Sequence, residues 1–248
     1  MSLPDDVLAA LTRVAQVPRL LVTSDFDGTL APIVSHPADA RPLTTAADAL
    51  RNLAALPATS AALISGRALA DLAVLSGLGA PVHLVGSHGA EFDTGFTHAI
   101  DTTLLQTICD ALTAIAGRYP GVTVEPKPAS VALHVRNAEP ADGAAALAAA
   151  HAAAQDWSAE LTEGKAVLEF AVIVTDKGAA LDVLREREDA SAVVFFGDDV
   201  TDEKAFRRMR SDDVGIKIGP GDTAAAYRIS APEDVASALE FLAAQRAL

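Results

Sequence analysis

Short apolar runs that do not alternate with polar residues recur along the chain, and each ends in a polar loop that leads into a helical pattern. The runs are "RLLVTSD", "SAALISG", "VHLVGSHG", "AVVFFGDD" and "VGIKIG", which end at Asp25, Gly66, Gly89, Asp199 and Gly219. Strands without alternation that are separated by helices are typical of a parallel sheet covered on both faces. The sequence therefore predicts an α/β fold around such a sheet.

The pattern changes between about residues 100 and 175. A helical pattern precedes two strand-like runs, and an alanine-rich helical pattern precedes two more; the four runs are "VTVEPKP", "SVALHVR", "SAELTEG" and "AVLEFAVIV". Helix, hairpin, helix, hairpin is typical of a compact antiparallel unit. We interpret residues 101–175 as an α+β cap domain inserted into a core formed by residues 1–100 and 176–248.

Composition excludes several classes of partner. The 248 residues are 50% hydrophobic, which is ample for a packed core, and the net charge of −14 argues against nucleic acid and anionic membranes as partners. Cys109 is the single cysteine, so no internal disulfide can form and a reducing compartment is expected. The amino terminus is acidic where a signal peptide would be basic. We expect a cytoplasmic protein that acts as a monomer on a small molecule.

Four polar residues fall at the carboxyl ends of predicted strands, namely Asp25, Ser65, His88 and Asp198. In parallel sheets covered by helices, ligands bind outside these ends. Four loops that look unrelated in the sequence are therefore expected to converge on one crevice. A buried carboxylate is costly unless it is paired or holds a metal, so Asp25 predicts a cation at this place.

The residues around this crevice suit phosphoryl transfer with a magnesium ion. Asp25 would attack phosphorus, and Asp27, two residues further on, would protonate the leaving oxygen and later activate water. Clustered carboxylates suit Mg²⁺, and this ion, Ser65 and Lys177 would neutralise the phosphoryl oxygens. The candidate metal ligands are Asp25, Asp27 through its backbone carbonyl, Asp198, Asp199 and Asp202.

Each of these features alone has a simpler interpretation. An Asp-x-Asp-Gly-Thr run is often a calcium-loop fragment or an acidic turn, Ser65 alone is typical of a turn or a helix cap, and Lys177 alone is typical of a solvated helix terminus. The run "GDDVTDE" alone is typical of a loop before a helix whose first turn is rich in acids. Their order and their positions at strand ends favour one catalytic site.

The combination resembles the four motifs of the haloacid dehalogenase phosphatase superfamily, in the correct order and over nearly the whole chain. The matching residues are Asp25 to Leu30, Ser65, Lys177 and Gly197 to Asp199. Within the superfamily, "GSHGAE", "EPKPASVALHVR" and "GDDVTDE" are similar to the trehalose-6-phosphate phosphatases. The resemblance implies a Rossmann-like core, Mg²⁺ as cofactor, and hydrolysis of trehalose 6-phosphate to trehalose and phosphate. A phosphatase for another sugar phosphate and a catalytically silent regulatory domain are the alternatives.

The resemblance also indicates residues that would bind the sugar. Glu125 and Lys127 lie two apart on a predicted strand and so face the same side, and Glu169 in the second hairpin offers another carboxylate. A solvent-facing ion pair that contributes little is the alternative. Many relatives carry an Arg-Pro pair after the position of Glu169, whereas this chain has Phe170 and Ala171, so a role for that arginine does not transfer.

Three more residues are candidates for substrate contact, namely Arg67, His88 and Arg136. A structural role is the alternative for the loop residue His88. For Arg136 and its neighbour His134, support of the hairpin is the alternative.

Overall fold

The computed structural model describes residues 3–96, 99–173 and 175–248, and the chain forms two compact units. The first unit consists of Met1–Gly95 and Thr175–Leu248, and the second of Phe96–Val174. The sequence predicts an insertion over residues 101–175. Within the described residues, no helix is both long and apolar enough to cross a membrane.

Helices and strands follow one another along the whole chain. In order, they are α1 (Asp5–Val14), β1 (Leu20–Ser24), α2 (Thr44–Ala55), β2 (Thr59–Ile64), α3 (Leu69–Ser76), β3 (His83–Gly86), β4 (Glu91–Phe92), β5 (Gly95–Phe96), α4 (Thr102–Ala116), β6 (Thr123–Pro126), β7 (Ser130–His134), α5 (Pro140–Ala153), β8 (Glu160–Gly164), β9 (Val167–Ala171), α6 (Lys177–Arg187), β10 (Ala192–Gly197), α7 (Glu203–Phe206), β11 (Val214–Ile218), β12 (Tyr227–Ile229) and α8 (Pro232–Arg246). Each strand-like run contains a strand. The run that predicts β9 extends to Val174, which lies outside the described residues. The sequence pattern misses β4, β5 and β12, because strands of two or three residues are too short to show a period.

Within the described residues, the sheet of the first unit has eight strands in the order β12-β11-β10-β1-β2-β3-β4-β5. The strands from β12 to β3 are parallel, and β4 runs antiparallel to β3. The central strand is β1, in which Val22 lies opposite both Val194 of β10 and Ala61 of β2. The predicted parallel α/β sheet is confirmed. The loops after β10, β1 and β2 consequently lie side by side at one edge of the sheet.

Helices cover both faces of this sheet, which explains why its strands do not alternate in polarity. On one face, Val22 belongs to a core that includes Leu50 of α2 and Leu239 of α8. On the other face, Leu21 belongs to a core that includes Leu181 of α6. Each large apolar side chain buried in this way contributes about 1.5–3 kcal/mol. The central strands are thereby fixed, and the loops at their carboxyl ends start from rigid positions.

The second unit is an antiparallel sheet in the order β6-β7-β9-β8, with α4 and α5 packed against one face. Leu133 of β7 and Phe170 of β9 point to that face and pack with Ile108 and Leu112 of α4 and Ala146 of α5. Because side chains alternate along a strand, the neighbours of Leu133 in β7 and of Phe170 in β9 point to the opposite face of the sheet. That second face, called the polar face below, carries Glu125, Ser130, His134 and Glu169 around the small residue Ala132.

Candidate active site

Asp25 lies directly after β1, at the carboxyl end of the central strand. Its backbone N–H donates a 2.9 Å hydrogen bond to the carbonyl of Phe196 in β10, and the residue is buried. The chain then turns at Gly28, which has a φ of +82° and whose N–H donates to the carbonyl of Ala31 at 2.7 Å. A Cβ at residue 28 would lie 2.2 Å from a carboxylate oxygen of Asp198, so only glycine fits. The turn therefore packs directly against the loop that follows β10.

Asp202 holds the loop after β10 in shape. Its Oδ2 accepts hydrogen bonds of 2.9 Å from the backbone N–H groups of both Asp198 and Asp199. A Cβ at Gly197 would lie 2.5 Å from Asp202 Cγ, so a side chain at this position would displace the carboxylate. Asp202 is fully buried. Its first role is therefore structural, because it satisfies two N–H groups that the loop would otherwise leave without partners.

Lys177 joins the two loops through its side chain. It is the first residue of α6, whose amino-terminal cap is Asp176, with the carboxylate accepting from the N–H of Ala179 at 2.8 Å. The buried Nζ lies 2.7 Å from Oδ1 of Asp25 and 2.7 Å from Oδ1 of Asp202. Burial alone would lower the pKa of Lys177, but the two carboxylates outweigh it and raise that pKa. Lys177 is consequently a fixed positive charge in the site.

Burial makes the ionised forms of the active-site carboxylates less stable. Burial raises the pKa of Asp25 well above its usual value; Asp202 and Asp198 raise it further, and Lys177 opposes the shift. Burial also raises the pKa of Asp198, while a 3.0 Å hydrogen bond from the hydroxyl of Thr29 opposes it. In both residues the pKa rises because the carboxylate is removed from water and because it lies close to other carboxylates.

This donor set fits a divalent cation. Carboxylate oxygens of Asp25, Asp198 and Asp202 lie within 4.8 Å of one another, and the ammonium of Lys177 neutralises only one of the three charges. Since Asp202 already accepts from Lys177 and from two N–H groups, Asp25 and Asp198 are the carboxylates best placed to coordinate an ion. The predicted ligand Asp199 is exposed and lies outside this group.

The side chain of Asp27 is bound by Arg67. Nε of Arg67 donates to Oδ2 of Asp27 and Nη2 donates to Oδ1, both at 2.7 Å. The hydrogen bond to Asp27 raises the pKa of Arg67. The sequence predicts proton transfer for Asp27 and substrate binding for Arg67, but it gives no signal for this pair, because the two residues come from different loops.

Ser65 and His88 form a second connection between loops. Ser65 follows β2 and is buried; its Oγ accepts a 3.2 Å hydrogen bond from the N–H of Arg67, and its carbonyl accepts one of 2.9 Å from the N–H of His88. His88 has a φ of +53°, and a Cβ at Gly66 would lie 2.4 Å from Cε1 of its ring. The imidazole therefore packs on the backbone beside Ser65, and its contact with a substrate stays a prediction.

In the second unit, the predicted sugar-binding residues Glu125 and Glu169 lie on the polar face of the sheet. Glu125 of β6 and Glu169 of β9 both lie opposite Ala132 of β7 and therefore share that face. Nζ of Lys127 lies 3.1 Å from each carboxylate oxygen of Glu169, and the hydroxyl of Ser130 donates to Oε1 of Glu169 at 2.6 Å. The face thus carries donors and acceptors that are already ordered.

The other predicted contacts of this unit differ in their surroundings. Nε2 of His134 lies 2.8 Å from Oε2 of Glu125, so Glu125 pairs with a histidine of the neighbouring strand and not with Lys127. Arg136 is exposed two residues beyond the end of β7. Its role in substrate binding stays a prediction.

Comparison with known proteins decides the family. The family model described as trehalose-phosphatase matches residues 23–234. The chain belongs to the trehalose-phosphatase family. It is 36% identical over 265 residues to a trehalose-phosphate phosphatase of Mycobacterium marinum, covering 99% of this chain and 67% of that protein. It is 34% identical over 228 residues to the trehalose-6-phosphate phosphatase of Escherichia coli, covering 88% of this chain and 84% of that protein.

A solved structure has the same fold as this chain. It is the C-terminal domain of the trehalose-6-phosphate phosphatase of Candida albicans, with a TM-score of 0.78, 23% sequence identity, and coverage of 96% of this chain and 97% of that one. The family predicted from the motifs is confirmed, and so is the prediction of a phosphoric monoester hydrolase.

One buried cation near the site is absent from the residues predicted above. Lys217 of β11 is buried, and its Nζ donates to the backbone carbonyl of Asp198. A signal for it exists in the run "VGIKIG", because a lysine within an apolar buried strand must find a partner. We attribute to Lys217 the support of the loop that carries Asp198.

Proposed function

We propose that the chain hydrolyses trehalose 6-phosphate to trehalose and phosphate through a phosphorylated Asp25. The observation that carries the proposal is the buried contact of Asp25 with Lys177 beside the carboxylates of Asp198 and Asp202. It supports phosphoryl transfer because a nucleophile, a fixed cation and a cation-binding group occupy one place. The relatives named above act on trehalose phosphate by their names, which supports the substrate.

In the first step, an oxygen of Asp25 forms a bond to phosphorus while the bond from phosphorus to the sugar oxygen breaks. The electron pair of that bond stays on the sugar oxygen, and a proton from the carboxyl group of Asp27 passes to it, so trehalose leaves as an alcohol. Lys177 and the hydroxyl of Ser65 stabilise the negative charge on the phosphoryl oxygens.

In the second step, a water oxygen attacks phosphorus and the bond to Asp25 breaks, which returns its carboxylate. The carboxylate of Asp27 takes the proton of the water, so the protein ends in its starting state. Phosphate then leaves.

The cofactor we propose is Mg²⁺, held by Asp25, Asp198 and the backbone carbonyl of Asp27. When bound, the ion supplies positive charge that offsets the charge of these carboxylates and of the phosphoryl group. Asp202 supports this arrangement through its hydrogen bonds to the loop.

Recognition of the sugar is assigned to the polar face of the second unit. Glu125, Lys127 and Glu169 offer two carboxylates and one ammonium, which suit the hydroxyl groups of a disaccharide. Cytoplasmic location and a monomeric state remain predictions.

A phosphate-release assay against a panel of sugar phosphates tests the proposal. Trehalose 6-phosphate should give the highest kcat/KM among esters such as glucose 6-phosphate and sucrose 6-phosphate. A higher kcat/KM for another sugar phosphate would mean that this other ester is the substrate. Release from none of them, and none from an aryl phosphate, would favour the catalytically silent alternative.

A further inference from the structure

The ion pair between Arg67 and Asp27 is geometrically specific. Two nitrogens of the planar guanidinium meet the two carboxylate oxygens at 2.7 Å each, which defines the plane as well as the position of the carboxylate. Asp27 itself is not deeply buried, with 35% of its side chain exposed. Without a partner, such a side chain would rotate freely about its χ angles.

Arg67 is itself held by several contacts of its backbone and its side chain. Its own N–H donates to Oγ of Ser65 at 3.2 Å, and its carbonyl accepts a 2.7 Å hydrogen bond from the N–H of Ser87. The guanidinium carbon lies 5.6 Å from the centre of the Phe26 ring, and Nη2 also donates to the carbonyl of Pro37 at 2.8 Å. A side chain held in the loop after β2 therefore binds a half-exposed side chain from the loop after β1.

We infer that Arg67 is a positioning residue that orients the carboxyl group of Asp27 for proton transfer, and not a residue that binds the substrate phosphate. The inference rests on the proposed role of Asp27. Of the five N–H donors of a guanidinium, three are occupied by Asp27 and Pro37. When Asp27 carries the proton for the leaving oxygen, its carbonyl oxygen still accepts one bond from Arg67. Arg67 can thus hold the group in both protonation states.

The dependence on the leaving group separates positioning from phosphate binding. p-Nitrophenolate leaves without help from an acid, whereas phenolate, a stronger base, leaves faster when it is protonated. Both esters present the same phosphoryl group. Single-turnover release of the phenol, with enzyme in excess, reports on the first step alone, so a slow second step cannot hide the effect.

The test variant is Arg67→Lys, which keeps the positive charge but lacks the planar fork. The rate on phenyl phosphate should fall about tenfold or more, and the rate on p-nitrophenyl phosphate by no more than about threefold. The control is Arg41→Lys. Arg41 donates to the carbonyls of Ala38 and Ala40 in the same stretch that Arg67 reaches at Pro37, but it does not contact Asp27. Its ratio of the two rates should equal that of the wild type.

A second measurement uses the Asp27→Asn background, in which Arg67→Lys should no longer change the ratio of the two rates. Equal losses on both esters, or no loss on either, would overturn the inference. Partial unfolding of a variant does not affect the outcome, because the ratio is taken on one preparation. A wild type that hydrolyses aryl phosphates but not trehalose 6-phosphate would remove the proposed substrate and leave this comparison intact.

Discussion

The two units hold their charged side chains in different environments. In the first unit, the side chains of Asp25, Lys177 and Asp202 are at most 6% exposed and bind one another. In the second unit, Glu125 and His134 are 52% and 40% exposed, and Lys127 and Glu169 are each 18% exposed. Charges that are shielded from water interact strongly with a reacting group, whereas charges close to water lose little free energy when they change partners. Burial therefore suits the proposed role of the first unit in the chemical step, and partial exposure suits the proposed role of the second unit in binding sugar hydroxyls.

The largest effect is expected from Asp25→Asn. The amide is nearly isosteric with the carboxylate but is a far poorer nucleophile, so kcat should fall by at least about a thousandfold on any phosphate ester. The same change removes one charge from a crowded buried cluster, so the Tm measured in chelator should not fall. A kcat within tenfold of the wild type would remove Asp25 from the role of nucleophile.

The same contrast explains what the sequence predicts and what it does not. Asp25, Asp27 and Asp198 could be predicted to lie near one another because they come at or just after strand ends, and parallel strands bring such ends together. Lys177 opens a helix instead, and its place beside Asp25 follows from the fold. The pairing of Asp27 with Arg67 could not be found, since it depends on the side-chain directions of two loops. In the second unit, period-2 alternation predicts that Glu125 and Lys127 share a face. It cannot predict their partners, because pairing follows from strand register.

A second prediction compares two lysines, Lys177→Met and Lys127→Met. The first change leaves Asp25 and Asp202 without their common buried partner and should lower the free energy of unfolding by about 3–5 kcal/mol. The second leaves Glu169, which is 18% exposed, with its hydrogen bond from Ser130, and should lower the free energy of unfolding by about 1–2 kcal/mol.

Urea unfolding in the presence of chelator measures both lysine variants without any contribution from a bound metal. The first unit and the second unit are followed separately if they unfold in separate steps. Equal losses of unfolding free energy in the two variants would mean that the difference in burial between the units does not affect the stability that their lysines contribute.

A third prediction concerns the metal. Excess chelator should lower kcat by at least about a hundredfold, and added Mg²⁺ should restore it, whereas Ca²⁺ should restore it poorly because it prefers more ligands at longer distances. Asp198→Asn should raise the Mg²⁺ concentration needed for half-maximal activity by about tenfold or more. The matched control is Asp199→Asn, since Asp199 is exposed and outside the carboxylate group.

Full activity in excess chelator would remove the metal from the mechanism. An equal shift in Mg²⁺ requirement for the two aspartate variants would show that the loop as a whole, and not the carboxylate of Asp198, determines binding of the ion.

The smallest effects are expected on the polar face of the second unit. Replacing Glu125, Lys127 or Glu169 by Ala removes a charged hydrogen-bonding group, which should lower kcat/KM for trehalose 6-phosphate by about tenfold to a hundredfold, or about 1.5–3 kcal/mol. p-Nitrophenyl phosphate has no sugar to contact these side chains, so its kcat/KM should change little.

Ser130→Ala removes one hydrogen bond from Glu169 but no charge, so we expect a smaller effect. The loss of kcat/KM for trehalose 6-phosphate should correspond to about 1 kcal/mol. Each variant is assayed on both esters, and equal losses on the two would mean that the changes damage the fold or the chemical step. In that case the sugar-binding role of this face would be abandoned, and the contrast between a chemical unit and a recognition unit with it.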